Sequence, residues 1–149
     1  MILDQLSILS DAQAITASAP SQNVYDLGET GLVTYNAGIG DKKQLKRSFP
    51  RSAHIPLLIQ VVEDFAGLTA LKLKVQSDSD PAFPSPKDLI CQDVALADLK
   101  AGFISAIDKV PGEIEERYFR VFFEVVGGPA SAGKVTAAIV GAVDESYKG

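Results

Sequence analysis

Between Arg117 and Val126 the chain reads Arg117-Tyr118-Phe119-Arg120-Val121-Phe122-Phe123-Glu124-Val125-Val126, with apolar residues at every second position. Side chains on an extended backbone alternate with a period of two. Phe119, Val121, Phe123 and Val125 therefore share one face, the core face, while Tyr118, Arg120, Phe122 and Glu124 share the other. After Gly127-Gly128-Pro129-Ala130-Ser131-Ala132-Gly133 comes a second strand-like run, Lys134-Val135-Thr136-Ala137-Ala138-Ile139-Val140-Gly141. The stretch 117–141 is thus predicted to be a β-hairpin around which the rest of the chain is organised.

Other strands follow from the same period. Pro56-Leu57-Leu58-Ile59-Gln60-Val61-Val62-Glu63 is a strong strand, and in Leu71-Lys72-Leu73-Lys74-Val75-Gln76 the apolar residues point inward and the lysines outward. Residues 64–70 suit a hairpin loop between these two. Residues 77–86 hold three prolines and are predicted to form a loop, because proline cannot continue a central strand. Leu89-Ile90-Cys91-Gln92-Asp93-Val94 is a further strand with the thiol as a small interior hydrophobe, residues 97–102 a turn ended by Gly102, and residues 103–107 a short strand. Nearer the start, Ala14-Ile15-Thr16-Ala17 and Asn23-Val24-Tyr25-Asp26-Leu27 read as short strands around a turn at Pro20-Ser21-Gln22. A short amphipathic helix over residues 3–9 is the alternative for the opening residues. Many short strands between turn signals, with no helix of ten residues, predict an all-β, jelly-roll-like antiparallel β-sandwich.

A chain of 149 residues fits a single domain spanning 1–149 that buries roughly 68–70% of its unfolded surface. The opening residues lack a basic stretch and are interrupted by Asp4 and Asp11, so no secretory signal is expected. The longest apolar run, residues 137–143, falls well short of the ~18 residues of a membrane span. The net charge of −5 disfavours non-specific binding to nucleic acid, so neither nucleic acid nor membrane is an expected partner. One cysteine and one histidine, Cys91 and His54, exclude an intrachain disulfide and leave too few soft ligands for a zinc site. The charge is uneven. Between Glu29 and His54, Lys42, Lys43, Lys46, Arg47 and Arg51 face only Glu29 and Asp41, a local +3 against −8 for the rest. No sustained period runs from 29 to 56, so a long basic loop is predicted at about 29–55. Two readings of it stand open: a solvated mobile loop, or a contact arm for an acidic partner with Leu45 and Phe49 as apolar anchors.

Residues that could carry chemistry do not assemble into a site. Gly128-Pro129-Ala130-Ser131-Ala132-Gly133-Lys134 has the spacing of a phosphate-binding loop, but Val135 replaces the Ser or Thr that holds magnesium, and the residues after it have strand composition rather than helix composition. Asp78-x-Asp80 resembles the start of a calcium loop, but Pro81 and Phe83 stand where adaptable ligands and a glycine are needed, so these carboxylates are expected in solvent. Nothing sets two of Glu63, Asp64, Glu115 and Glu116 across a pocket as acid and base. No catalytic, cofactor-binding or metal-binding residue is assigned, no cofactor is expected, and the chain is expected not to be an enzyme.

Short pieces spread over nearly the whole length resemble the capsid cement, or decoration, proteins of a Bordetella-type tailed bacteriophage group. They are Met1-Ile2-Leu3-Asp4, Ser10-Asp11-Ala12-Gln13-Ala14, Asp26-Leu27-Gly28, Ala97-Asp98-Leu99-Lys100-Ala101-Gly102, Arg117-Tyr118-Phe119-Arg120, Gly127-Gly128-Pro129 and Ala132-Gly133-Lys134-Val135-Thr136-Ala137. Between Glu29 and Ala53 the chain departs from that pattern by being longer and more basic, so no contact carries over there. The resemblance implies a jelly-roll sandwich that oligomerises on the outside of an icosahedral shell, having been made in the host cytoplasm, and clamps neighbouring major capsid proteins together. The expected partners are thus the major capsid protein and further copies of the chain, as a dimer in preference to a trimer. On residue chemistry the candidate contacts are the apolar tip Met1, Ile2 and Leu3 and the basic segment with Lys42, Lys43, Lys46, Arg47, Phe49 and Arg51. The alternative function is a carbohydrate-binding jelly-roll module, although tryptophan, the usual stacking platform, is absent.

Overall fold

The computed structural model describes residues 3–29, 31–36, 41–45, 54–112 and 114–141. They form ten strands: β1 (Leu3–Ala14), β2 (Ala19–Pro20), β3 (Tyr25–Asp26), β4 (Gly31–Asn36), β5 (Asp41–Leu45), β6 (Leu57–Ala66), β7 (Ala70–Asp78), β8 (Lys87–Ala95), β9 (Tyr118–Val126) and β10 (Ala132–Val140), with one 3-10 turn at Leu96–Asp98. Among these residues there is no α-helix. The chain is the all-β antiparallel sandwich that the strand series predicts. One sheet has the order β1-β10-β6; the other has the order β2-β9-β7-β8, with β3 also paired to β9, and β4 and β5 form a separate ribbon.

Alternation builds the interior. Phe119, Val121 and Phe123 of β9, Leu71, Leu73 and Val75 of β7, and Leu57, Ile59 and Val61 of β6 join one buried cluster between the sheets. Each of the fully buried phenylalanines is worth roughly 1.5–3 kcal/mol of burial. On β6 Leu57, Ile59, Val61 and Phe65 face this core, whereas Leu58 joins Ala138, Val140 and Ile8 in a second, smaller cluster on the opposite face. That second cluster explains why residues 57–59 read as an unbroken apolar run.

The two expected hairpins are crossovers. β9 pairs with β7 in the larger sheet, and β10 lies between β1 and β6 in the smaller one, so residues 127–131 carry the chain from one layer to the other. Residues 67–69 do the same between β6 and β7. The two connections lie against each other: the Thr69 N–H donates to the Val126 carbonyl at 2.8 Å, and the Ser131 N–H donates to the Ala66 carbonyl at 2.8 Å. Both strands of each pair have a core face whether they share a sheet or oppose one another, so the period alone does not separate the two arrangements.

Other differences are local. The opening residues form the twelve-residue strand β1 rather than a helix, and residues 14–17 are its end and a bend. Cys91 is exposed, not interior: a register shift near Ile90 puts Leu89 against the core, and Cys91 pairs across from Lys74 on the outer side of edge strand β8. Residues 103–107 make one isolated bridge, Ile104 to Gln60, and otherwise run irregularly beside β6, the Ser105 N–H donating to the Ile59 carbonyl at 2.9 Å. Within the long basic segment, β4 and β5 pair from Gly31 with Leu45 to Asn36 with Asp41.

Candidate interaction surface

Of the candidate contacts, Leu3 opens β1 opposite Val140, and Lys42 and Lys43 lie in β5 opposite Thr34 and Val33. Met1, Ile2, Lys46, Arg47, Phe49 and Arg51 lie outside the described residues. The ribbon that carries the two lysines had a signal in the sequence, since Leu32-Val33-Thr34-Tyr35 is a run of strand-forming types. The glycines around it hid that signal.

The outer face of the larger sheet is a network of satisfied charges. Lys74 on β7 bridges Asp88 on β8 at 2.9 Å and Glu124 on β9 at 2.8 Å. Gln76 Nε2 donates to Asp88 Oδ1 at 2.7 Å, and Arg120 Nε donates to Gln76 Oε1 at 3.0 Å. Those donors hold the Asp88 carboxyl below its ordinary value, the Gln76 amide first and Lys74 second. The Arg120 guanidinium lies 4.1 Å from the centre of the Phe83 ring and 5.5 Å from that of Phe122. Phe83 is buried and takes a φ of +53°, a backbone state that costs a non-glycine residue about 1–3 kcal/mol and is retained where the surroundings enforce it. At the strand ends Arg117 grips Asp26 with Nε at 2.7 Å and Nη2 at 2.9 Å, and donates from Nη1 to Glu29 at 3.0 Å.

A polar cleft of about 330 Å³ opens at the end of β7, lined by Ser77, Asp78, Ser79, Ser85, Lys87 and Glu116. Asp78 is buried, contrary to expectation, because its carboxylate ties the following loop at both ends: it accepts from the N–H of Asp80 and of Ser85, each at 3.0 Å. Glu116 accepts from Ser77 Oγ at 2.8 Å and pairs with Lys87. The Asp80 amide holds the Asp78 pKa below its ordinary value, and Lys87 does the same for Glu116. A two-carboxylate acid–base pair needs one of the two raised instead. At the other end of the sandwich Lys134, the lysine of the phosphate-loop-like run, lies in β10 and pairs with Glu63 on β6 at 2.7 Å, so strand follows where a phosphate loop has a helix. Among the described residues no three His, Cys, Asp or Glu side chains are grouped to hold a metal ion, and no helix is long and apolar enough to cross a membrane.

Among the described residues, the most exposed large apolar side chain is one that sequence reasoning passed over. From Leu3 to Ile8, β1 advances five residues while its partner β10 advances only two, from Val140 to Ala138. The surplus loops out of register, and Leu6 on it is 88% exposed. The next most exposed, Ile104 at 42%, is less than half as open.

A family model matches residues 9–139, so the chain belongs to the Bbp16 family, whose name suggests a Bordetella phage protein. No curated protein matches the chain.

Proposed function

We propose that this member of the Bbp16 family is a non-enzymatic structural virion protein, which binds the outer surface of an icosahedral phage capsid and clamps neighbouring major capsid proteins. The observation that carries the proposal is the family match over residues 9–139, with its suggestion of phage origin. The character of the sandwich supports it too. On its outer face Lys74 ties Asp88 and Glu124 across three strands, and its two clefted carboxylates are held ionised, so its visible design is for rigidity. Rigidity suits a part repeated over a shell, where modest interfaces gain strength by avidity. The protein acts as a homo-oligomer, a dimer in preference to a trimer, without nucleic acid or membrane as partner. Lys42 and Lys43 of β5, with Lys46, Arg47 and Arg51, meet acidic patches on the capsid.

Purified protein added to capsids that lack it tests the proposal by co-sedimentation. Saturable occupancy at a symmetry-defined number of sites is the expected result. Reversing one lysine of the basic segment should barely change affinity, since an exposed ion pair is worth only ~0–1 kcal/mol, whereas reversing several should weaken binding in a salt-dependent way. Absence of binding to any shell of its own virus refutes the proposal.

A further inference from the structure

We propose that Leu6 is the apolar anchor of a second capsid contact, seated in an apolar pocket rimmed by cationic side chains on a shell subunit; this rests on the capsid-binding reading above. An isolated exposed leucine is ordinary on a protein surface and carries little by itself. Here the backbone is also arranged to present it. In β1, residues between the Leu3–Val140 and Ile8–Ala138 pairs are surplus to the ladder, and the side chain on that surplus is 88% exposed. Forfeiting ladder pairing to put a leucine in water stabilises nothing in the free chain, whereas bulges at sheet edges commonly re-aim a side chain. β1 is an edge strand, with β10 on one side; on the other, among the described residues, Asn23 bonds the Ile8 and Leu9 carbonyls and Gln22 accepts from the Asp11 N–H, all beyond the stretch that carries Leu6. The projecting leucine is thus open to a partner.

Charge gives the pocket its chemistry. Of the acidic residues in the first thirty positions, which hold no lysine or arginine, Asp26 and Glu29 are taken by Arg117, and the charges beside Leu6 are Asp4 and Asp11. Asp4 and Asp11 are exposed on the same strand as Leu6. A fitting rim is therefore cationic, opposite in sign to the acidic patches that suit the Lys42 and Lys43 region. Two contacts of opposite charge preference fit a clamp, because a part that joins neighbouring subunits must grip two different surface patches.

The full-length chain carrying Leu6→Asp is compared with wild type for capsid occupancy, urea midpoint and sedimentation velocity, with Leu6→Met as the conservative variant and Val62→Asp, on the exposed side of β6, as control. Wild-type binding, a ten- to hundredfold loss of affinity in Leu6→Asp as befits one buried leucine, retention in Leu6→Met and in Val62→Asp, and an unchanged midpoint and oligomeric state support the anchor. Asp4→Asn with Asp11→Asn should weaken binding and flatten its salt dependence. Wild-type affinity in Leu6→Asp overturns the anchor and leaves the capsid-binding reading standing. Dissociation of the free oligomer by Leu6→Asp overturns it as well, by placing Leu6 in the seam between copies. Failure of wild type to bind removes both.

Discussion

Gly133 sits inside β10 with φ +137°, and a Cβ added there would lie 2.3, 2.4 and 2.5 Å from three atoms of the Phe65 ring. Phe65 is only 3% exposed and packed in the main core, so it has little room to retreat. Gly133→Ala should therefore suffer twice. Backbone strain at positive φ costs about 1–3 kcal/mol, and forcing an extra methyl into a packed core costs about 1–3 kcal/mol more, a total of roughly 2–6 kcal/mol against a native stability of about 5–15 kcal/mol. Gly102 supplies the internal control, since its φ is +93° and no atom lies within 4 Å of its added Cβ. Gly102→Ala should show the strain alone, about 1–3 kcal/mol. With a urea slope of ~2 kcal/mol per molar, Gly133→Ala should lower the unfolding midpoint by ~1–3 M, clearly more than Gly102→Ala. Phe65→Leu should relieve part of the excess, which a double-mutant cycle reads as a loss in the double variant smaller than the sum of the two single losses. Equal losses at the two glycines, or a Gly133→Ala penalty unchanged by Phe65→Leu, would refute the packing explanation.

Acid should destabilise the fold in a defined window. Asp78, Asp88, Glu116 and Glu124 all have native pKa values lowered, so the unfolded chain binds more protons, and their stabilisation is complete above the ordinary values of 3.8 and 4.5 and lost as pH falls below them. Denaturant midpoints should thus be flat from pH 7 to 5 and fall steeply by pH 3; a flat profile to pH 3 would contradict this. Cys91 should react fully with a thiol reagent in the native protein, but more slowly than a free thiol at pH 7.5, because desolvation and then Asp93 raise its pKa. Protection until unfolding would show it interior after all. Arg120→Ala should leave Phe83 without its cationic partner and loosen the 79–86 loop, read as earlier proteolysis there than in wild type. An unchanged cleavage pattern would mean that Asp78 holds the loop alone.

Period two made β6, β7 and β9 legible, down to which residues of β9 face the core. It did not reveal which strand lies beside which. The crossovers at 67–69 and 127–131 lead from strands with core faces to strands with core faces, as hairpins do. β1 was obscured because irregularities between Leu3 and Ile8 and between Ser10 and Gln13 break its phase, so a helical spacing fitted as well as a strand. Cys91 changed sides through a one-residue register shift near Ile90, and Asp78 went inside because loop amides satisfy it; both depend on neighbours remote in the sequence. Leu6 escaped notice for the same reason, since only the ladder against β10 shows that its stretch is surplus.

The proposed clamp is tested most directly by the temperature at which capsids release their contents, measured with and without saturating added protein. The account predicts a rise in that temperature that grows with occupancy and levels off when the symmetry-defined sites are full. A release temperature indifferent to full occupancy would contradict it.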